Sequence, residues 1–243
     1  MTPLFFLHGV GGGGRAWDRQ VAHFTKLGYR CTAWDQPGYG ENPTVEPYNL
    51  ENVAAALKKE IGESEVVLVG HSMGGLIAQE FYVRYPQNVA ALALCFTSAA
   101  FVGQSDFAKQ FVDARIGPLD RGESMAQIAE RVMPQMHGRI SDPQGVEMAK
   151  RVMAALSPDT YRKAVHLLTT FDRRAELPGI AVPALLIAGS DDTTAPAKIM
   201  ARMAEKIPGA EFVLLDGCGH LGPMDQPVAF NAALEGFLAR RKL

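Results

Sequence analysis

An α/β fold built on a mostly parallel sheet of about six strands is the class the sequence predicts. Three observations carry it: short unbroken apolar runs, helical spacing between them, and a length of 243 residues that one large domain accommodates. The apolar runs are residues 4–7, 30–34, 65–69, 91–96, 184–188 and 211–215. Runs of this length without polar alternation read as strands buried on both faces, and such strands belong to parallel sheets covered by helices. Helices are predicted over 17–27, 50–61, 73–84, 197–207 and 228–240, where apolar residues recur three and four apart. Residues 97–183 break the alternation. A structureless loop of that length is improbable in a compact domain, so it reads as an inserted helical cap, punctuated by Pro118, Pro134, Pro143, Pro158 and Pro178 into segments such as 126–133, 146–156 and 160–171. The predicted organisation is one domain, with residues 1–96 and 184–243 as core and 97–183 as lid.

Composition excludes several classes. A net charge of −2 and a pI near 6.3 leave no basic stripe for nucleic acid. The longest N-terminal apolar run, residues 3–7, is too short for a signal peptide or a membrane span. Cys31, Cys95 and Cys218 are odd in number and lack C-x-x-C spacing, so neither a disulfide framework nor a zinc site is indicated. A cytoplasmic protein with no metal and no organic cofactor is expected.

The most informative stretch is Gly70-His71-Ser72-Met73-Gly74-Gly75, between an apolar strand and an apolar helix. A serine held on so sharp a turn needs small residues two positions away on each side, because larger side chains would collide where strand folds back into helix. Serine is a weak nucleophile at neutral pH and needs a base oriented by a third group. A carboxylate and a histidine should therefore follow downstream. Gly189-Ser190-Asp191-Asp192-Thr193-Thr194-Ala195-Pro196 and Asp216-Gly217-Cys218-Gly219-His220 both come after predicted strands, in the order serine, acid, histidine.

With these motifs the chain resembles the α/β-hydrolase superfamily over nearly its whole length. Leu7-His8-Gly9-Val10-Gly11-Gly12 is similar to its oxyanion-hole loop, and residues 189–196 match a G-x-x-D-x-x-x-P acid loop in which Asp192, not Asp191, holds the family position. The resemblance implies Ser72, Asp192 and His220 as catalytic residues and the backbone N–H groups of Val10 and Met73 as oxyanion donors. It implies an ester- or lactone-cleaving serine hydrolase similar to the capped carboxylesterases and the 3-oxoadipate enol-lactonase group. Relatives with aspartate at the nucleophile position, the haloalkane dehalogenases and epoxide hydrolases, are set aside by Ser72. The family has two further strands before the one at residues 4–7. Their apparent absence puts residues 30–34 at an exposed sheet edge, where self-association is expected.

Other readings compete. Residues 9–14 also fit G-x-G-x-x-G, with Asp35 about 21 residues on, as in a dinucleotide fold; that reading leaves Ser72, Asp192 and His220 as coincidences. A slow-turnover ligand sensor on the same fold is a second rival. The remaining histidines read blandly: His8 and His71 as places where backbone matters more than side chain, and His23, His137 and His166 as surface or packing residues in helical patterns. Cys218 reads as a small buried filler. The substrate is expected to be a small to medium apolar ester, because the cap offers Met125, Met133, Met136, Met148 and Met153 with Phe101, Phe107, Phe111, Leu167 and Phe171 as lining. The counter-reading turns Arg115, Arg131, Arg139 or Arg162 inward as a carboxylate clamp, as an enol-lactonase or carbon–carbon hydrolase acting on an acidic substrate would need.

Overall fold

The computed structural model describes the backbone of residues 1–101 and 105–243 and the side chains of 1–101 and 108–243. Among these residues six strands form one sheet: β1 (Leu4–Leu7), β2 (Cys31–Trp34), β3 (Val66–His71), β4 (Val89–Cys95), β5 (Ala184–Gly189) and β6 (Glu211–Leu215). Their order is β2-β1-β3-β4-β5-β6, all parallel, with β2 at one edge as expected. The register aligns Leu7 with Gly70, Gly70 with Leu94, and Gly189 with Leu215. The loops after β1, β3, β5 and β6 therefore emerge along one edge, the carboxyl end where open parallel sheets place their ligands.

Helices cover both faces. On one side α2 (Leu50–Ile61), α3 (Met73–Arg84) and α8 (Ala197–Ala204) bury a core containing Leu68, Leu92 and Leu186. On the other, α1 (Asp18–Lys26) and α10 (Pro227–Arg241) cover Val67, Val69 and Ile187. Adjacent strand residues enter opposite clusters because side chains alternate across a sheet. Helix α8 stops before the predicted 207: its tail tightens into Lys206 N–H to Met203 O and Ile207 N–H to Ala204 O bonds, and Pro208 follows. The predicted helix at 17–27 is a 3₁₀ turn at Gly14–Trp17 running into α1.

Between β4 and β5 lie α4 (Ser105–Asp120), α5 (Met125–Val132), α6 (Pro143–Ala154) and α7 (Pro158–Leu168), with the short α9 (Gly222–Asp225) packed beneath α6. Pro143 and Pro158 open α6 and α7 behind the N-caps Asp142 and Ser157, as first-turn prolines should. Pro118 is different. Read as a break, it sits inside the last turn of α4, where it removes the N–H that would bond the Ala114 carbonyl with only two residues left to the helix end. The two ends of the insertion meet in a short antiparallel pair, Phe101 N–H to Phe171 O and Arg173 N–H to Ala99 O. Arg173 also binds Glu80 of α3 at 2.7 Å. The Glu80 carboxylate, 1% exposed, is shared with Arg84 at 2.6 Å, so a buried charge is fully paired.

The contact of α6 with α9 is close. A methyl group at Gly145 would lie 1.9 Å from the Met224 carbonyl oxygen, a backbone atom that cannot swing away. Gly145→Ala should therefore lower unfolding free energy by about 1–3 kcal/mol in urea titration; an unchanged midpoint would mean that the inserted helices do not seat on α9.

Candidate active site

Ser72 terminates β3 with φ 54°, a left-handed conformation that non-glycine residues adopt only under constraint. The constraint comes from its neighbours. A methyl group at Gly74 would lie 2.0 Å from the Leu7 carbonyl oxygen, and one at Gly70 would lie 2.4 Å from the Gly74 carbonyl oxygen. The Ser72 amide donates to Cys95 O at 2.9 Å, and its carbonyl accepts from Gly75 N–H at 2.9 Å and Thr97 Oγ1 at 2.8 Å. The turn is held from both sides by bonds to its backbone that do not use the hydroxyl.

That hydroxyl lies 3.0 Å from His220 Nε2, while His220 Nδ1 lies 2.8 Å from Asp192 Oδ2. The other oxygen of Asp192 accepts from Thr194 N–H at 2.7 Å and Ala195 N–H at 2.9 Å. Burial works to raise the Asp192 pKa, but the His220 ring and these two amides outweigh it and hold the carboxyl below its usual range. Asp191 points elsewhere: its Oδ2 accepts from Arg139 N–H at 2.9 Å and its Oδ1 from Ser190 Oγ at 2.8 Å. The structure thus brings Ser72, His220 and Asp192 into one chain of contacts and leaves Asp191 outside it.

Val10 lines the cavity with Ser72. The Gly9 carbonyl is taken by His8 Nδ1–H and Gly12 N–H, both at 2.9 Å. In a trans peptide the next N–H, that of Val10, points the opposite way. The Met73 amide is the first of α3, where helix amides have no partner within the helix. Asp35, which a dinucleotide fold would send to a ribose, instead accepts the Gly14 amide at 2.6 Å and holds the glycine loop.

The bland reading of His8 and His71 needs correction, because their side chains frame the site. His8 Nε2 accepts the Gln36 amide at 3.2 Å while Nδ1 donates to Gly9. His71 Nε2 donates to the His220 carbonyl at 2.7 Å. Burial pushes His8 down to about 4, and burial with the His220 ring nearby pushes His71 down to about 3. Both are neutral at physiological pH, which fixes one N–H on each ring.

Sequence reasoning also missed the segment 136–142. His137 lies there in a loop, not a helix. The Met136 carbonyl accepts the His220 amide at 2.7 Å, Ile140 N–H donates to Gly217 O at 3.0 Å, and the buried Asp225 Oδ2 accepts from Gly138 N–H at 3.0 Å and Gly219 N–H at 3.4 Å. The only sequence signal was glycine on both sides: a methyl group at Gly138 would lie 2.1 Å from Gly217 O, and one at Gly219 2.4 Å from Met136 O. Cys218 is a filler as expected; burial pushes its thiol up.

The cavity over Ser72 has Met133, Met136, Met153, Met224, Val165 and Leu168 among its walls. Phe111 lines it as predicted. Met125 packs among the inserted helices, Met148 lines a separate groove, and Phe101, Leu167 and Phe171 pack into the core on the α3 side. The side chain of Phe107 lies outside the described ones. Among the described residues no helix is long and apolar enough to cross a membrane, and no cluster of potential metal ligands occurs.

The model of the alpha/beta hydrolase family matches residues 4–233. The putative non-heme bromoperoxidase BpoC of Mycobacterium tuberculosis is 28% identical over 99% of this chain and 95% of its own. 3-Oxoadipate enol-lactonase 2 of Acinetobacter baylyi is 28% identical over 98% of this chain and 88% of its own. Among solved structures, a thermophilic esterase from Thermogutta terrifontis superposes with a TM-score of 0.89 at 26% identity, covering 99% of this chain and 90% of that one.

The two neutral histidines make stability pH-dependent. Their folded pKa values lie below the unfolded value of about 6.5, so stability is complete above that pH and is lost as pH falls towards 4, when the unfolded chain takes up protons that the native rings refuse. At pH 5 each should cost about 2 kcal/mol. Urea denaturation at pH 7.5 and pH 5 should show that drop; a flat response would mean that the rings are charged when folded.

Proposed function

This chain belongs to the alpha/beta hydrolase family and is a hydrolase, and we propose that it is a serine hydrolase cleaving a carboxylic ester or lactone through an acyl-enzyme. The observation that carries the reading is the contact series Ser72 Oγ, His220 Nε2 and Nδ1, Asp192 Oδ2, at 3.0 and 2.8 Å, at the base of a largely apolar cavity.

Ser72 attacks the carbonyl carbon as His220 Nε2 takes its proton; Asp192 keeps the proton on Nδ1 and stabilises the imidazolium. The Val10 and Met73 amides receive the developing oxyanion. His220 then protonates the leaving oxygen, and water, activated by the same imidazole, releases the acid. Water is the one reactant the scheme takes besides the substrate and the chain's own residues. The methionine and aliphatic lining favours a small to medium acyl or alcohol part with an apolar body. The free thiols Cys31, Cys95 and Cys218 fit a reducing compartment, and we place the protein in the cytoplasm. The open β2 edge is the surface through which a second copy would pair, which light scattering reads directly.

Ser72→Ala should abolish labelling by a fluorophosphonate probe and reduce ester turnover by about a thousandfold or more. Asp192→Asn should cost a comparable factor and Asp191→Asn less than about threefold. Equal losses in the two aspartate variants, or labelling that survives in Ser72→Ala, would overturn the assignment.

A further inference from the structure

Four arginines of the insertion were candidates for facing inward, and the structure sorts them. Arg131 pairs with Glu123 at 2.6 Å, Arg139 with Asp216 at 2.5 Å, and Arg162 with Asp120 at 2.6 Å. Each is spent on a surface carboxylate. Arg115 on α4 is the exception: it lines the cavity that contains Ser72 and, among the described residues, pairs with no carboxylate. Its guanidinium carbon lies 5.4 Å from the centre of the Phe111 ring, and it sits beside the phenol of the buried Tyr161.

The surroundings sharpen this. No described aspartate or glutamate lines the cavity, and its other ionisable walls are His8, His71, His220 and Tyr161. His8 and His71 are neutral, as shown above. Arg115 is therefore the one fixed charge among the described lining residues, set against thioethers and branched aliphatic chains. A half-buried guanidinium covered on one face by an aromatic ring still presents N–H donors along its edge, in the fork that matches a carboxylate. Desolvation by apolar walls makes leaving such a cation unpaired costly, and an anion entering with the substrate removes that cost.

We propose that Arg115, with the Tyr161 hydroxyl beside it, is an anion-recognition site, and that the substrate is an ester or lactone carrying a carboxylate at the far end of an apolar segment. The proposal rests on the hydrolase reading for its scissile bond but not for its anion. It reconciles an apolar lining with a charged substrate: the walls take the chain and Arg115 takes the terminus. Arg115 makes no contact with the reacting atoms in this scheme; it selects and orients.

The test compares methyl monoesters of four- to seven-carbon dicarboxylic acids with the corresponding methyl ester primary amides, which match them in shape and lack the charge. Two readouts are used: kcat/KM with the unaltered chain, and binding to the Ser72→Ala chain by calorimetry. For the best chain length the carboxylate form should be preferred at least tenfold over the amide in both. Arg115→Gln should remove most of that preference, mainly through KM, while Arg115→Lys, which keeps the charge without the fork, should retain part of it. Arg115→Met serves as a second neutral variant, and fluorophosphonate labelling of Ser72 reports that each variant is folded. Equal binding of acid and amide, or a preference that survives both Arg115→Gln and Arg115→Met, would overturn the anion site. Turnover without carboxylate preference sinks this proposal and leaves the hydrolase standing. Carboxylate-selective binding without turnover of any ester sinks the hydrolase and leaves the anion site.

Discussion

The crossing of the β3–α3 turn over the end of β1 is the constraint on which the rest of the structure depends. At Gly74 there is no room for a carbon atom: the Leu7 carbonyl oxygen would be 2.0 Å away. That proximity forces the strained φ of Ser72, brings the chain after β1 against the serine, and sets where the Val10 and Met73 amides lie relative to its hydroxyl. Strain at such a turn costs on the order of 1–3 kcal/mol and persists only where the surroundings over-determine it. Here they do, through bonds from Cys95, Gly75 and Thr97 to a single residue.

Around that turn the polar atoms are organised by groups that carry no charge. His8 orients the peptide leading into Val10, and His71 holds the carbonyl of His220, so that two neutral imidazoles position the loops on either side of Ser72. The carboxylates do the complementary work. Asp35 fastens the glycine loop, Asp192 meets His220, and Asp225 fastens the inserted segment to the histidine loop. Each uses backbone amides as partners in place of a second ion, although the buried Asp225 Oδ1 finds none among the described residues.

What was legible in the sequence was whatever depends on neighbours a few residues apart. The six strands, the helices over 50–61 and 73–84, and the glycine spacing around Ser72 are local patterns, and the structure places all of them. Asp192 rather than Asp191 could be chosen only through the register of a loop motif, because the two acids are chemically identical until the fold turns one inward. The roles of His71, Met136 and Asp225 were not legible. Met136 and Asp225 bond to partners 84 and 87 residues away (220 − 136 and 225 − 138), and no periodicity encodes such pairings. Pro118 misled for a related reason: a proline costs a helix one backbone bond without by itself ending it, and α4 runs two residues past this one before stopping.

The bonds between residues 136–142 and the histidine loop bear on how this architecture can be recombined. A helical insertion joined to a core only at its two ends can be exchanged between relatives as a cassette, with crossover points at the junctions. Here the carbonyl of Met136 carries the amide of His220, and Gly138 and Gly219 fit against each other with no space for a side chain. The insertion and residues 216–225 form one structural unit, so a transplant that brings the helices without the loop that carries His220 takes a wall of the cavity and leaves behind the footing of that ring.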